Sequence, residues 1–211
     1  MLINEIFKSI QGESSFAGFP CSFIRVTGCN LRCSYCDTRY AYFEGKEMSI
    51  DQIVEEVKKL KCPLVEITGG EPLLNEEVYP LIDKLLAENF QLLLETNGSL
   101  DISRVDGRVA RIVDIKCPSS GMSHKMYWDN IKHLRHSDEV KFVIGSRLDY
   151  VWCREIIEKY QLQKRAKISL SLMYGKLKPE KLAGWMLADN LPARLQIQLH
   201  KYIWPGRERG V

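Results

Sequence analysis

Hydrophobic residues fall along this chain in two alternating rhythms. Short runs rich in branched and aromatic side chains predict strands: "SFIRVTG" (22–28), "LVEITGG" (64–70), "FQLLLETNG" (90–98), "RIVDIKCP" (111–118), "EVKFVIG" (139–145) and "AKISLSL" (166–172). Between several of them the apolar period lengthens to that of a helix. In "SIDQIVEEVKKL" (49–60), Ser49 is the candidate N-cap, Ile50, Ile53, Val54 and Val57 recur at helical spacing, and lysines gather near the end. "EEVYPLIDKLLAE" (76–88) is helical, with Pro80 tolerated in its first turns. Further helices are predicted around 123–136, 149–160 and 178–188, and the near-alternating "ARLQIQLHKYIW" (193–204) predicts a last strand.

Strands alternating with helices imply a parallel sheet with covering helices, an α/β fold. The glycine-rich and polar signals fall at the strand C-terminal ends: "TGC", "TGGEP", "ETNG" and "DIKCPSS". That rim is where sites are built in parallel sheets and barrels, because the loops converge above it. A complete eight-fold barrel takes roughly 250 residues. With 211 residues and about six parallel core strands, the expectation is an incomplete, TIM-like barrel with few covering helices. No repeat, low-complexity tract or linker divides the chain, so residues 1–211 are read as a single domain.

Composition narrows the class only a little. Hydrophobic residues at 45% and charged residues at 27% describe an ordinary globular chain, and a net charge of +3 without a long basic run argues against nucleic acid. No apolar run reaches the ~18 residues of a membrane span, and "MLINEIFKSIQGE" lacks the pattern of a signal peptide. A soluble cytoplasmic protein is the expectation. Seven cysteines, an odd number, argue against a disulfide framework and turn attention to the three that cluster.

Those three stand in "GCNLRCSYCDT" (28–38), where Cys29, Cys33 and Cys36 have C-x3-C-x2-C spacing. Three thiolates can hold three irons of a 4Fe–4S cluster and leave the fourth iron an exchangeable position. The alternative is a closed zinc or iron–sulfur site with a distant fourth ligand; Cys117, followed by Pro118, is the candidate.

The cysteine loop after a strand, with Tyr35 before its last cysteine, and "GGEP" (69–72) one helix later resemble the radical S-adenosylmethionine (SAM) enzymes. Further stretches resemble the 7-carboxy-7-deazaguanine synthases within that superfamily: "SIQGES" (9–14), "ETNG" (95–98), "DIKCPSS" (114–120), "EVKFVI" (139–144) and "QLHKYI" (198–203). This resemblance spans nearly the whole chain. It implies a lyase of queuosine and deazapurine biosynthesis that converts 6-carboxy-5,6,7,8-tetrahydropterin to 7-carboxy-7-deazaguanine with loss of ammonia. The implied cofactors are a 4Fe–4S cluster, SAM and Mg²⁺, with a flavodoxin or ferredoxin as electron donor and a homodimer as assembly. Two rival readings are a glycyl-radical activating enzyme, whose substrate is a protein backbone, and a non-catalytic metal module.

Residue chemistry was weighed beside that resemblance. A carboxylated substrate wants a guanidinium fork, and Arg25 lies three residues before the cysteine loop; a surface arginine is the plain alternative. Gln11 and Glu13 offer an amide and an acceptor for a pterin edge, Gly12 allows close backbone approach, and a simple hairpin turn is the competing explanation. Thr68 offers a hydroxyl, and His200 and Gln198 in the expected last strand can close the pocket. By resemblance Ile10 and Thr68 contact substrate, and Thr38, otherwise a cap or turn residue, holds Mg²⁺. Resemblance likewise places Tyr35, Gly70, Glu71, Thr96 and Asn97 with SAM, completed by Cys117, Pro118 and Ser119. The tail "WPGRERGV" departs from the family pattern: either Pro205 sits at the pocket with the tail turned away, or the tail replaces that contact.

Overall fold

The computed structural model describes residues 1–211 as one nine-stranded sheet with helices packed on its outer face. Strands β1 (Leu2–Ile10), β2 (Pro20–Val26), β3 (Lys46–Glu47), β4 (Leu64–Gly69), β5 (Gln91–Thr96), β6 (Ala110–Asp114), β7 (Glu139–Ile144), β8 (Lys167–Leu172) and β9 (Arg194–Gln196) lie in the order β3-β1-β2-β4-β5-β6-β7-β8-β9. From β2 through β9 every neighbour is parallel, so six full strands and a three-residue seventh make a partial barrel. Helices α1 (Ile50–Lys59), α2 (Val78–Ala87), α3 (Arg147–Tyr160), α4 (Pro179–Ala188) and the short α5 (Leu199–Ile203) complete it. Helix α1 starts on a capping box, Ser49 and Gln52 each bonding the other's backbone N–H.

Two side-chain layers follow from strand alternation. The outer positions, such as Ile24, Ile67, Leu92, Leu94, Val140 and Phe142, join the helices in a core of 40 buried residues. The inner positions change character along each strand. At the N-terminal ends Cys21, Phe23, Leu64, Leu93 and Ile112 form a small apolar cluster on the concave face. Above them, toward the C-terminal ends, stand Arg25, Glu66, Thr68, Glu95, Asp114 and Lys141. The apolar plug supports a polar floor.

Four features depart from the sequence expectations. Strand β1, antiparallel to β2, was not predicted, because a register shift between Ile3 and Glu5 breaks its alternation. The two-residue edge strand β3 was not predicted either. The helix expected around 123–136 is instead a pair of 3-10 turns, Ser123–Lys125 and Trp128–His133. There the buried Asn130 side chain accepts from Ile102 N (3.0 Å) and donates to Leu100 O (2.8 Å), holding this segment to the preceding loop. The last strand stops at Gln196: Gln196 Nε2 and Leu199 N both donate to Gly12 O, which turns the chain into α5. His200 therefore sits on a helix, not a strand.

A buried ion pair fixes the far end of the sheet. Arg111 on β6 bonds both carboxylate oxygens of Asp138, which also accepts from Arg135 N at 2.8 Å, and both partners are nearly inaccessible. Breaking such a pair strands a charge in the interior. Asp138→Ala is expected to cost about 3–5 kcal/mol, read as a lower midpoint in urea with an unchanged slope.

Candidate active site

The loop after β2 carries the clustered cysteines. Gly28 turns the chain out of the strand at φ 99°, and its N–H donates to Ala41 O at 2.9 Å. A Cβ on Gly70 would stand 1.9 Å from Gly28 O, so glycine is what lets the loop after β4 close on the cysteine loop. The Glu71 N–H then donates to Gly28 O at 2.7 Å. Cys29, Cys33 and Cys36 are half-buried and line one end of a cavity of about 650 Å³. Burial raises the Cys29 thiol and pushes Cys33 up to about 11, so both stay protonated until a metal displaces the proton. Cys117 is fully buried, has Cys153 as its thiol neighbour and does not reach the cavity. The closed four-thiolate arrangement is therefore not assembled.

The other end of the cavity is the polar floor. Lys141 Nζ bonds Glu13 (2.8 Å) and Glu95, and lies 3.6 Å from Asp114, which pairs with Lys116 at 2.7 Å. Glu66 is buried beside them and bonded by the Gln11 amide. Burial and then the neighbouring Glu95 push its carboxyl well up, favouring its protonated form. Burial also opposes ionisation of Glu95, but Lys141 outweighs it and holds Glu95 charged. Thr68 Oγ1 donates to Glu95 at 3.1 Å. Arg25 gives its Nε to Glu5 at 2.7 Å, and its two terminal nitrogens have no protein partner where it lines the cavity.

The mouth is framed by the chain's last segment. Gln198 Nε2 bonds Glu13 at 2.7 Å, and Lys201 bonds Asp37 at 2.7 Å, next to Thr38. Burial disfavours the Asp37 carboxylate, yet the Lys201 ammonium and the Thr38 hydroxyl overcome it and hold the carboxyl at about 2. Burial lowers His200, whose imidazole packs on Gly12; a Cβ there would meet Nδ1 at 2.3 Å. Gly12 thus admits His200, a closer neighbour than the substrate expected from the sequence.

The radical SAM superfamily model matches residues 23–159. A 7-carboxy-7-deazaguanine synthase of Chlorobaculum tepidum is 47% identical, over 99% of this chain and 96% of that protein. One from Koribacter versatilis is 42% identical over the full length of both. This chain belongs to the 7-carboxy-7-deazaguanine synthase family of radical SAM enzymes. The crystal structure of QueE from Escherichia coli shares the fold, with a TM-score of 0.77 over 93% of each chain at 24% identity.

The residues fit the cluster and SAM that membership in the radical SAM superfamily implies. Three thiols share one loop, Asn97 Nδ2 lies 3.7 Å from Cys29 Sγ, and two buried polar atoms at the cavity, Tyr35 Oη and Asp114 Oδ1, have no protein partner. Such orphaned groups are costly unless a ligand satisfies them. Gly70, Thr96 and Asn97 line the same wall, and Ile10, Gly12, Glu13, Arg25, Thr68 and His200 line the opposite end.

Several expected contacts differ. Pro205 is exposed and off the cavity, and Val211 lines it instead; the tail folds back through Tyr40 Oη to Glu208 O (3.0 Å) and Gly210 N to Glu5 (3.1 Å). Gln11 lines the cavity, but its amide is already engaged, accepting from Glu13 N at 2.9 Å while donating to Glu66. Cys117, Pro118 and Ser119 stand off the cavity; Ser119 instead accepts from Ser34 Oγ at 2.7 Å and donates its N–H to the buried Asp149 at 2.9 Å. Sequence reasoning missed Glu66, Glu95, Asp114 and Lys141, and of the "KCPS" segment (116–119) expected beside SAM only Lys116 lines the cavity. The signal was present: single charges set inside otherwise apolar strands, which a packed core does not tolerate unpaired.

Glu71 is also off the cavity. Its carboxylate is a strut that accepts from Leu73 N (3.0 Å), Thr96 Oγ1 (2.8 Å) and Asn97 N (2.6 Å). Burial pushes it up to about 7 against those donors. The folded state thus binds a proton that the unfolded chain releases above about 4.5, so Glu71 makes stability fall as pH rises from about 4.5 to 7. Glu71→Gln is expected to flatten that slope. It should also cost about 1–3 kcal/mol at pH 7, because its amide N–H faces another donor. Urea denaturation of the apoprotein across this pH range checks both.

Proposed function

We propose that this enzyme converts 6-carboxy-5,6,7,8-tetrahydropterin to 7-carboxy-7-deazaguanine with loss of ammonia, in queuosine and deazapurine biosynthesis. The observation that carries the reading is one cavity with three thiols at one end and, at the other, a guanidinium with free donors above an ion-lined floor. Cys29, Cys33 and Cys36 hold the cluster, and Gly70, Tyr35, Thr96 and Asn97 form the wall for SAM. When bound, the cluster and SAM supply the radical that abstracts hydrogen from substrate.

The remaining work belongs to the chain: holding the substrate in reach and excluding water. Arg25 donates from its terminal nitrogens to the substrate carboxylate, steadied by Glu5 at Nε. The amino-pyrimidinone edge of the pterin presents N–H groups for which the carboxylates of Glu13 and Glu95 are acceptors. Glu66, whose neutral form burial favours, lies nearby, and the Thr68 hydroxyl, which donates to Glu95, keeps its acceptor side open. His200, kept neutral by burial, closes that side without adding a charge. Mg²⁺ keeps most of its waters and takes few protein oxygens, so Thr38 Oγ1 with substrate oxygens suffices to hold it.

A cavity of about 650 Å³ that ends on an ion-lined floor favours a small polar molecule over the protein backbone that a glycyl-radical activating enzyme must admit. The reductant is a one-electron carrier, and the assembly is a homodimer.

The test is anaerobic turnover of the reconstituted enzyme with dithionite, SAM, Mg²⁺ and the carboxytetrahydropterin, followed by mass spectrometry. Carboxydeazaguanine is the expected product; deoxyadenosine released without it would sink the substrate assignment. Arg25→Lys keeps the charge and loses the fork, and is expected to lower kcat/KM about 10–100-fold with cluster content unchanged.

A further inference from the structure

The last helix sets a cation against the loop that carries Thr38. Lys201 on α5 places Nζ 2.7 Å from Asp37 Oδ2, and Thr38 Oγ1 donates to the other carboxylate oxygen at 3.1 Å. All three residues line the cavity, as does Tyr174, whose ring centroid lies 5.1 Å from Nζ. Asp37 therefore does two things. It takes the Thr38 hydrogen, which leaves the hydroxyl's lone pairs open, as a hard cation requires of an oxygen ligand. Its own charge, however, is already answered by the Lys201 ammonium.

Lys201 is held in place from the substrate end. Its helix starts where Leu199 N donates to Gly12 O at 3.0 Å and Gln198 Nε2 donates to Glu13 at 2.7 Å. His200, beside it in the chain, packs on Gly12. Other carboxylates of the cavity are engaged by other ammonium groups, Glu13 and Glu95 by Lys141 and Asp114 by Lys116. A metal ion at Thr38 thus finds Asp37 as the carboxylate touching its ligand, with the charge already cancelled. One hydroxyl without net negative charge beside it is a poor site for Mg²⁺, which gives up its waters reluctantly.

We infer that Lys201 is a stand-in cation: it holds Asp37 before substrate arrives, and so keeps a divalent metal from binding until the substrate brings oxygens of its own. The inference rests on the reading that Thr38 and the substrate together hold Mg²⁺. Substrate bound against Gly12, Glu13 and His200 acts on the helix that carries Lys201. The Tyr174 ring then gives the ammonium a second place to rest when the metal takes up the Asp37 charge. Lys201 is thus a positioning residue that sets the order of binding, substrate first and metal second.

The test is titration of the reconstituted, substrate-free enzyme with Mn²⁺, an oxygen-seeking surrogate for Mg²⁺, with the free ion read by its EPR signal. Lys201→Met is expected to bind Mn²⁺ about 10-fold more tightly than the unaltered enzyme at low ionic strength, with the gain shrinking as salt is raised. Damage to the fold weakens binding, so a gain is not what a purely structural lysine gives on removal. Lys201→Arg should bind Mn²⁺ as the unaltered enzyme does, and Asp37→Asn/Lys201→Met should lose the gain. A Lys201→Met enzyme with full cluster content and no tighter Mn²⁺ binding would overturn the inference, as would a gain that the double variant keeps. If the carboxytetrahydropterin does not tighten Mn²⁺ on the unaltered enzyme, or tightens it equally in Thr38→Ala, the metal reading itself fails and takes the inference down with it.

Discussion

A single buried ammonium makes this site possible. Lys141 rises from β7 into the concave face and meets carboxylates of three other segments: Glu13 from the loop after β1, Glu95 from β5 and Asp114 from β6. Without a cation there, these acids could not all be buried and ionised within one cavity, because desolvation and mutual repulsion would protonate them. Burial works against the charge of Lys141 itself, but Glu13, Glu95 and Asp114 more than reverse that and raise it far above the ordinary lysine range. Lys141 in turn holds Glu95 in its charged form. The network also has mechanical reach, since Glu13 passes the constraint to Gln198 at the start of the last helix.

The two ends of the cavity are built by opposite means. The thiol end depends on backbone proximity: Gly28 and Gly70 touch, Glu71 braces the wall through Thr96 and Asn97, and Ser34 ties the cysteine loop to the turn after β6. The Lys116 ammonium and the Asp114 carboxylate are the charges that reach the Cys33 thiol there. The floor depends on side-chain ion pairing above an apolar plug of Phe23, Leu93 and Ile112. Residues two apart on one strand do both jobs, as Phe23 and Arg25 do on β2, because alternation sends them to the same face.

That division explains what could be read from the chain before its fold was known. The parallel strands, α1 to α4 and the cysteine and glycine loops were legible because each rests on local pattern: alternation, helical period or fixed spacing. Strand β1 was not, since a bulge erased its alternation, and neither was α5, whose start is set by bonds to Gly12, more than 180 residues earlier in the sequence. The ion floor escaped for a related reason. Glu66, Glu95 and Lys141 look like isolated charges in their own strands, and only the sheet order puts them together. Gln11 lines the cavity with its amide bonded to Glu66 and Glu13, and Glu71 stands off it with its carboxylate bonded to Leu73, Thr96 and Asn97, engagements that only the fold reveals.

The engaged and the free polar groups separate structure from chemistry here. A buried carboxylate held by several donors, three on Glu71 and four on Asp138, holds backbone in place and offers little to a ligand. A group with one side anchored and the other open is preorganised for recognition: Arg25, held at Nε with its terminal nitrogens free, is of this kind. Anchoring removes the rotamer entropy that binding would otherwise cost, and the open face keeps donors aimed where a ligand must come. Function in this fold is thus carried by incomplete satisfaction, at positions that the satisfied network around them keeps rigid.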